Sequence, residues 1–414
     1  MSQATRHMKT DVQLALRLRM KRASTGTVIA AAPRPHVVTG LFAGIGGLEL
    51  GLSRHAHAPT LFCEIDESAN TVLAKRFPMV GRHDDIRTLE KLPRRTTLLT
   101  AGFPCQDLSQ AGLTQGIGGA QSSLVGEVFR LIDSHLTPWV LLENVPFMLQ
   151  LDRGAAMGFI AKNFEARGYR WAYRIVDARA FGLPQRRRRV YFLASRVGDP
   201  SSVLFADEAG TPQEIEAESS DSACGFYWTE GTRGLGWAVD AVPTLKGGSN
   251  FGIPSPPAIL LTDGRVVTPE IRDAERLQGF PPNWTKPAET VGRRSARWKL
   301  IGNAVSVPAA TWIGRRLRNP MPAFAFDVEP LLETSRWPIA AWNLGSGRMR
   351  IHASEWPVRY RYHALEDFLK FSPSLLSVKA TSGFLRRAEN AGLNFAPGFL
   401  DAIRAHLRYV DSRI

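Results

Sequence analysis

Cysteine is scarce in this 414-residue chain: Cys63, Cys105 and Cys224 are the only three. The number is odd and no CxxC pair exists, which argues against a disulfide framework and a structural zinc site and for a reducing compartment. No run reaches the roughly 18 apolar residues of a membrane span. The opening stretch, "MSQATRHMKTDVQLALRLRMKR", lacks the continuous apolar core of a signal peptide. Internal repeats and long low-complexity tracts are also missing. Acidic residues are outnumbered, 38 against 52 Lys and Arg, for a net charge of +14. Such a surplus attracts polyanions, nucleic acid foremost.

What is present from Pro35 to about Val197 is an alternation of short apolar runs and amphipathic stretches. "HVVTGLFAG", "PTLFCEID", "TTLLTAGFP", "PWVLLENVP" and "RVYFLASR" read as strands. "GLELGLSRH", "SANTVLAKRFP", "SLVGEVFRLIDSH" and "RGAAMGFIAKNFEARGY" read as helices between them. This order predicts a doubly wound, mostly parallel sheet with ligands beyond the C-terminal strand ends. "GFPCQ" and "ENVP" both fall at that edge. After Gly198, "DPSSVLFADEAGTPQEIEAESSDSACG" reads as a linker or mobile loop. An irregular Gly- and Pro-rich region follows, then the helical "SARWKLIGNAVSVPAATWIGRRLR". The final stretch carries the basic helix "PGFLDAIRAHLRY".

Four constellations carry chemistry. "LFAGIGG" follows a strand and opens a helix, where glycines allow close backbone approach and free N–H groups face a ligand. Glu64 lies 20 residues beyond Gly44, the place for a carboxylate on ribose hydroxyls. The glycine spacing is not GxGxxG, which disfavours a nicotinamide dinucleotide; a purely structural turn is the other reading. Cys105 is either an inert buried thiol or a nucleophile activated by nearby cations. Glu143 is either a solvent-facing strand end or an acid whose pKa burial raises. In "PQRRRRVYFLA", strand alternation points Arg187 and Arg189 one way and Arg186 and Arg188 the other. These pieces fit one reaction. A thiolate adds to C6 of cytosine, an acid serves N3, and C5 becomes nucleophilic enough to take a methyl group. In duplex DNA the base must first flip out of the stack.

The chain here resembles the DNA (cytosine-5)-methyltransferase family over about residues 36–200 and 265–318. "LFAGIGG", "CEID", "HDDIR", "GFPCQDLSQAG", "ENVP", "QRRRRV", "ERLQGFPPNW" and "IGNAVSVP" stand in the family's motif order. The resemblance implies an α/β, Rossmann-like methyltransferase domain with a small target-recognition domain and a C-terminal extension. It places a basic N-terminal arm at 1–35, the catalytic cofactor-binding domain at 36–198 and 284–320, the target-recognition region at 199–283 and the extension at 321–414. It implies S-adenosyl-L-methionine as cofactor and no metal. Cys105 would be the nucleophile, Glu143 the acid at N3, and Arg187 and Arg189 the motif arginines. Phe42, Ala43, Gly44, Ile45, Gly46 and Gly47 would line the cofactor, with Glu64 on ribose. Ile65, Asp85 and Ile86 would meet adenine, and Pro104, Leu124, Asn303 and Ala304 would complete the pocket. Gln106, Ser109, Thr244 and Leu245 would lie toward DNA. The expected partner is double-stranded DNA, with a restriction or defence-system protein beside it and the enzyme a cytoplasmic, nucleoid-associated bacterial monomer. A tRNA cytosine-5 methyltransferase and a non-catalytic DNA-binding module are the alternatives. One departure is Gly40, where relatives usually carry Asp. Another is a longer gap inside "TPEIRDAERLQGFP".

Overall fold

The computed structural model describes residues 34–104, 124–212, 222–229, 236–248, 254–292, 295–333, 335–391 and 395–413. The apolar runs of the first half become β1 (Val37–Leu41), β2 (Ala58–Cys63), β3 (Gly81–His83), β4 (Leu98–Ala101) and β5 (Trp139–Asn144), which pair in parallel in the order 3-2-1-4-5. Parallel neighbours need crossovers. α1 (Gly47–Ser53), α2 (Glu67–Arg76) and α3 (Leu124–His135) lie between the strands. α2 illustrates the local logic: Asp66 caps it by accepting from the Ala69 N–H, and Lys75 and Arg76 close its last turn. The strand order reverses between β1 and β4, which opens a crevice at their C-terminal ends.

Beyond β5 the sheet departs from the mostly parallel expectation. β8 (Arg188–Ser195) runs antiparallel between β5 and β6 (Arg170–Asp177). β15 (Ala340–Asn343), β16 (Arg348–Ile351) and β14 (Val328–Pro330) continue antiparallel to the edge. The link from β6 to β8 is too short for a crossover helix, so the chain can only turn back.

Two apolar layers cover this sheet. On one face α3 and α4 (Ala155–Ala166) bring Val128, Phe129, Ile132, Ile160 and Phe164 against Trp171 and Phe192. On the other, α1, α5 (Ser201–Leu204) and α8 (Val307–Arg318) bring Leu52, Leu204, Trp312 and Ile313 against Val38, Leu98 and Leu141. The stretch read as a linker therefore begins inside the core: Val203, Leu204 and Phe205 are buried. Among its described residues, Asp207 and Glu208 are partners, not solvated charges. Asp207 pairs with Arg316 and accepts from Trp312 Nε1 at 2.7 Å, and Glu208 pairs with buried Arg174 at 2.6 Å.

A smaller antiparallel sheet orders β10 (Trp237–Val239), β9 (Cys224–Phe226), β12 (Ala258–Leu260), β13 (Val266–Thr268) and β17 (Ser374–Leu375). A short parallel pair, β7 (Gln185–Arg186) with β11 (Val242–Pro243), lies between the motif arginines and this region. α6 (Ile271–Leu277), α7 (Ala296–Asn303) and α9 (Leu365–Phe368) share one apolar cluster through Leu277, Ile301 and Leu365. α10 (Val378–Asn390) and α11 (Phe399–Asp411) pack Phe384, Leu385, Phe399 and Ile403 onto Phe226, Leu260 and Val266. Residues 321–413 thus divide between the sheets: β14 to β16 extend the large one, and β17, α10 and α11 complete the small one.

Candidate active site

The loop after β1 is shaped by backbone conformations that few residues accept. Phe42 has φ 52°, in the left-handed region that costs a non-glycine residue on the order of 1 kcal/mol or more. Gly46, φ 79°, caps α1, and a Cβ there would stand 2.7 Å from the Phe77 ring. Glu64 follows β2 and ties the loop down: Oε2 accepts from the Gly44 N–H at 2.7 Å and Oε1 from the Asp66 N–H at 2.9 Å. Burial pushes its carboxyl up, and the two N–H donors oppose that. Beside it the apolar Ile65 is 68% exposed, an uncovered face at the strand end. The Glu64 N–H donates to the His83 carbonyl, which brings the β3 end alongside. Asp85 there binds Arg87 through both oxygens, and that guanidinium holds its carboxyl down to about 2.

Glu143 emerges at the end of β5, buried, with Oε1 3.0 Å from Arg189 Nε. Burial raises its pKa, and the Arg189 and Arg187 charges oppose the rise. Arg187 is 2% exposed and donates to the carbonyls of Leu245 and Gly302 at 3.3 Å and of Ala304 at 2.5 Å. Burial and the Arg189 charge pull it down to about 9, so it stays cationic at neutral pH. The alternate arginines face outward: Arg186 is exposed, and Arg188 pairs with Glu355.

One cleft joins these parts. It is lined by Phe42, Ala43, Gly44, Ile45, Gly47, Glu49, Gly102, Glu143, Asn303, Ala304 and Val305, among others. The break between α7 and α8, with Pro308 early in α8, delivers Asn303 to Val305. Gly46, Glu64, Ile65 and Asp85 do not line this cleft. Pro104 is exposed, and Leu124 is half-buried against the large-sheet core. Cys105, Gln106 and Ser109 lie outside the described residues. The side chains of Ile45 and Ile86 are buried in the core. The Ile45 carbonyl accepts from Trp284 Nε1 at 2.9 Å.

Leu245 corrects an expectation. Its side chain is 3% exposed within the small-region core, so packing and not DNA claims it, while its carbonyl holds Arg187. Thr244 is half-buried and donates its hydroxyl to the Arg186 carbonyl at 2.7 Å. Gln185 and Asn144 had been given no role. Gln185 accepts from the Leu245 N–H at 3.0 Å and donates to the Leu277 carbonyl at 2.8 Å, fastening the small region to β7. Asn144 Nδ2 donates to the Phe103 carbonyl at 3.0 Å and so holds the strand end that leads to Cys105. The signal for Asn144 was its place beside Glu143 in "ENVP".

The donor set suits a nucleoside cofactor with an amino-acid arm. It offers a glycine loop with close main chain, a carboxylate and an exposed apolar residue at neighbouring strand ends, and polar groups at the cleft. A family model described as C-5 cytosine-specific DNA methylase matches residues 37–246 and 225–319. The chain is similar to Type II methyltransferase M2.BsuMI of Bacillus subtilis (strain 168), 45% identical over 379 residues, covering 88% of this chain and 97% of that protein. Coverage that wide cannot be reached within residues 1–320, so the likeness extends into the extension. Type II methyltransferase M.MspI of a Moraxella species is 26% identical over 295 residues, covering 67% of this chain and 69% of that protein. Among solved structures, a methyltransferase of Entamoeba histolytica covers 69% of this chain and 98% of its own at 14% identity and a TM-score of 0.48.

Proposed function

The chain belongs to the C-5 cytosine-specific DNA methylase family, and from that premise we propose how its residues divide the methyl transfer. It is a DNA cytosine-5 methyltransferase of the Type II kind. The glycine loop would hold S-adenosylmethionine, with Glu64 toward its ribose, Ile65 and Asp85 toward its adenine and Asn303 and Ala304 beside it, and the cofactor so bound would supply an electrophilic methyl group. Cys105 adds as thiolate to C6 of a cytosine extruded from the duplex. Glu143, whose carboxyl burial pushes up against the pull of Arg189 and Arg187, serves N3 as the acid, so that C5 gains electron density. Arg189 holds the carboxyl in place through its ion pair. Arg187 pins the chain around Leu245, Gly302 and Ala304, which keeps the cleft walls together. When C5 takes the methyl group the donor would depart as a neutral thioether; a base then removes the C5 proton, N3 returns its proton to Glu143, and the Cys105 thiolate leaves.

The observation that carries this reading is the single cleft lined by both the glycine loop and Glu143. Methyl-labelled S-adenosylmethionine, offered with unmethylated duplex DNA or with tRNA, tests it. Label should enter DNA; label in tRNA alone, or in neither, refutes it. Cys105→Ser should abolish transfer. Duplex DNA carrying 5-fluorocytosine should yield a covalent complex through Cys105, because fluorine cannot leave as the proton does. Unchanged turnover in the serine variant would remove Cys105 as nucleophile.

A further inference from the structure

Gly40 lies on β1, and α1 folds back over it. The space a side chain at position 40 would fill is taken by the carboxyl group of Glu49. A Cβ built on Gly40 would overlap Glu49 Oε1 and stand 3.2 Å from the Phe62 ring. Thr100, directly across on β4, donates its hydroxyl to the same oxygen at 2.6 Å. The other oxygen, Oε2, is buried and has no hydrogen-bond partner among the described residues. Glu49 is 1% exposed, and it lines the cleft together with Phe42, Gly102, Glu143 and Asn303. No cation among the described residues pairs with it. Position 40 offers no side chain, and helix α1 delivers a carboxylate to the space above it.

A buried carboxyl without a counter-charge is costly, and a cationic ligand relieves that cost. The glycine loop lines the same cleft, and the cofactor read for it carries an α-ammonium, an α-carboxylate and a sulfonium at one end, for a net positive charge. We propose that Glu49 is a cofactor-binding residue whose free oxygen receives the cationic amino-acid end of S-adenosylmethionine. This rests on the reading that the cleft holds that cofactor. It agrees with the electrostatics: burial pushes the Glu49 carboxyl up to about 7. An arriving cation favours the ionised form of a carboxyl so raised.

The test is calorimetric titration of the full-length protein with S-adenosylmethionine and, separately, with 5′-methylthioadenosine. The second ligand keeps the adenosine half and lacks both the amino-acid end and the charge. The unaltered protein should bind both. Glu49→Gln, which keeps the shape of the side chain, should weaken S-adenosylmethionine at least about tenfold, the worth of a hydrogen bond to a charged group. It should leave methylthioadenosine within about twofold. Gly40→Asp combined with Glu49→Ala returns a carboxylate to the same space and should recover most of the lost affinity. An unchanged affinity for S-adenosylmethionine in Glu49→Gln overturns the proposal. Equal losses for both ligands overturn it too, since they mark a structural role. If the unaltered protein binds neither ligand, the cofactor reading itself fails.

Discussion

At the scale of single residues, the site works by opposing two effects on one carboxyl group. Burial drives the Glu143 pKa up, and Arg189 and Arg187 hold it back. A proton donor must be protonated to act, so the rate should fall as pH rises past that raised pKa. Arg189→Ala removes a cation that opposes burial, so the pKa should rise further and the falling limb should move to higher pH. Single-turnover pH–rate profiles of the two proteins check the sign; a limb that stays put or moves down contradicts it. Glu143→Gln should slow transfer by about 10²–10⁴, the usual worth of a positioned acid, with S-adenosylmethionine affinity retained. Glu143 was legible because "ENVP" places a carboxylate at the lip of an apolar strand. Glu49 was not, because nothing in "GLELGLS" shows that helix α1 turns that position inward above Gly40.

At the scale of elements, the helix pair of the extension is core and not appendage. Phe399 is 1% exposed, and its ring meets Phe226 at 5.2 Å and Trp237 at 4.5 Å between centroids. His406, also buried, accepts from the Val266 N–H at 3.1 Å, and its other ring nitrogen lies 3.0 Å from the Leu376 carbonyl. Phe399→Ala should therefore cost about 3–5 kcal/mol, the usual range for emptying a buried aromatic site. Denaturant melts of the full chain would measure it, and a loss under about 1 kcal/mol would place α11 outside the cooperative core. The apolar rhythm of α10 and α11 made them visible as helices. Their destination was invisible, because periodicity reports which face is buried and not what buries it. The same limit explains β6: "RWAYRIVD" carries two arginines, and only the carbonyls of Leu204, Asp207 and Ser354, with Glu208, make Arg174 tolerable inside.

At the scale of the whole molecule, the net charge of +14 should act through phosphate contacts. Each contact releases counterions, so log affinity should fall linearly with log salt. Raising salt from about 50 to 200 mM should weaken duplex binding by about 10³ if some six phosphates are neutralised. Fluorescence anisotropy at several salt concentrations would measure the slope, and a flat line would refute the electrostatic footprint. The charge says how strongly the molecule is drawn to DNA. It does not say where DNA lies, because base-edge contacts and DNA deformation, not summed charge, decide that.

By itself the sequence determined the parallel half of the large sheet, the glycine loop, the placement of Glu64 and Glu143 at strand ends, and the outward and inward alternation of the arginines. All of these follow from local rules: strand period, turn chemistry and the abrupt end of an apolar run. Only the tertiary structure decided that the acidic stretch after Gly198 enters the core, that Leu245 is buried, that the extension is shared between two sheets, and that Glu49 occupies the space over Gly40. Each of those depends on a partner distant in the chain, and a local pattern carries no information about which distant group will meet it.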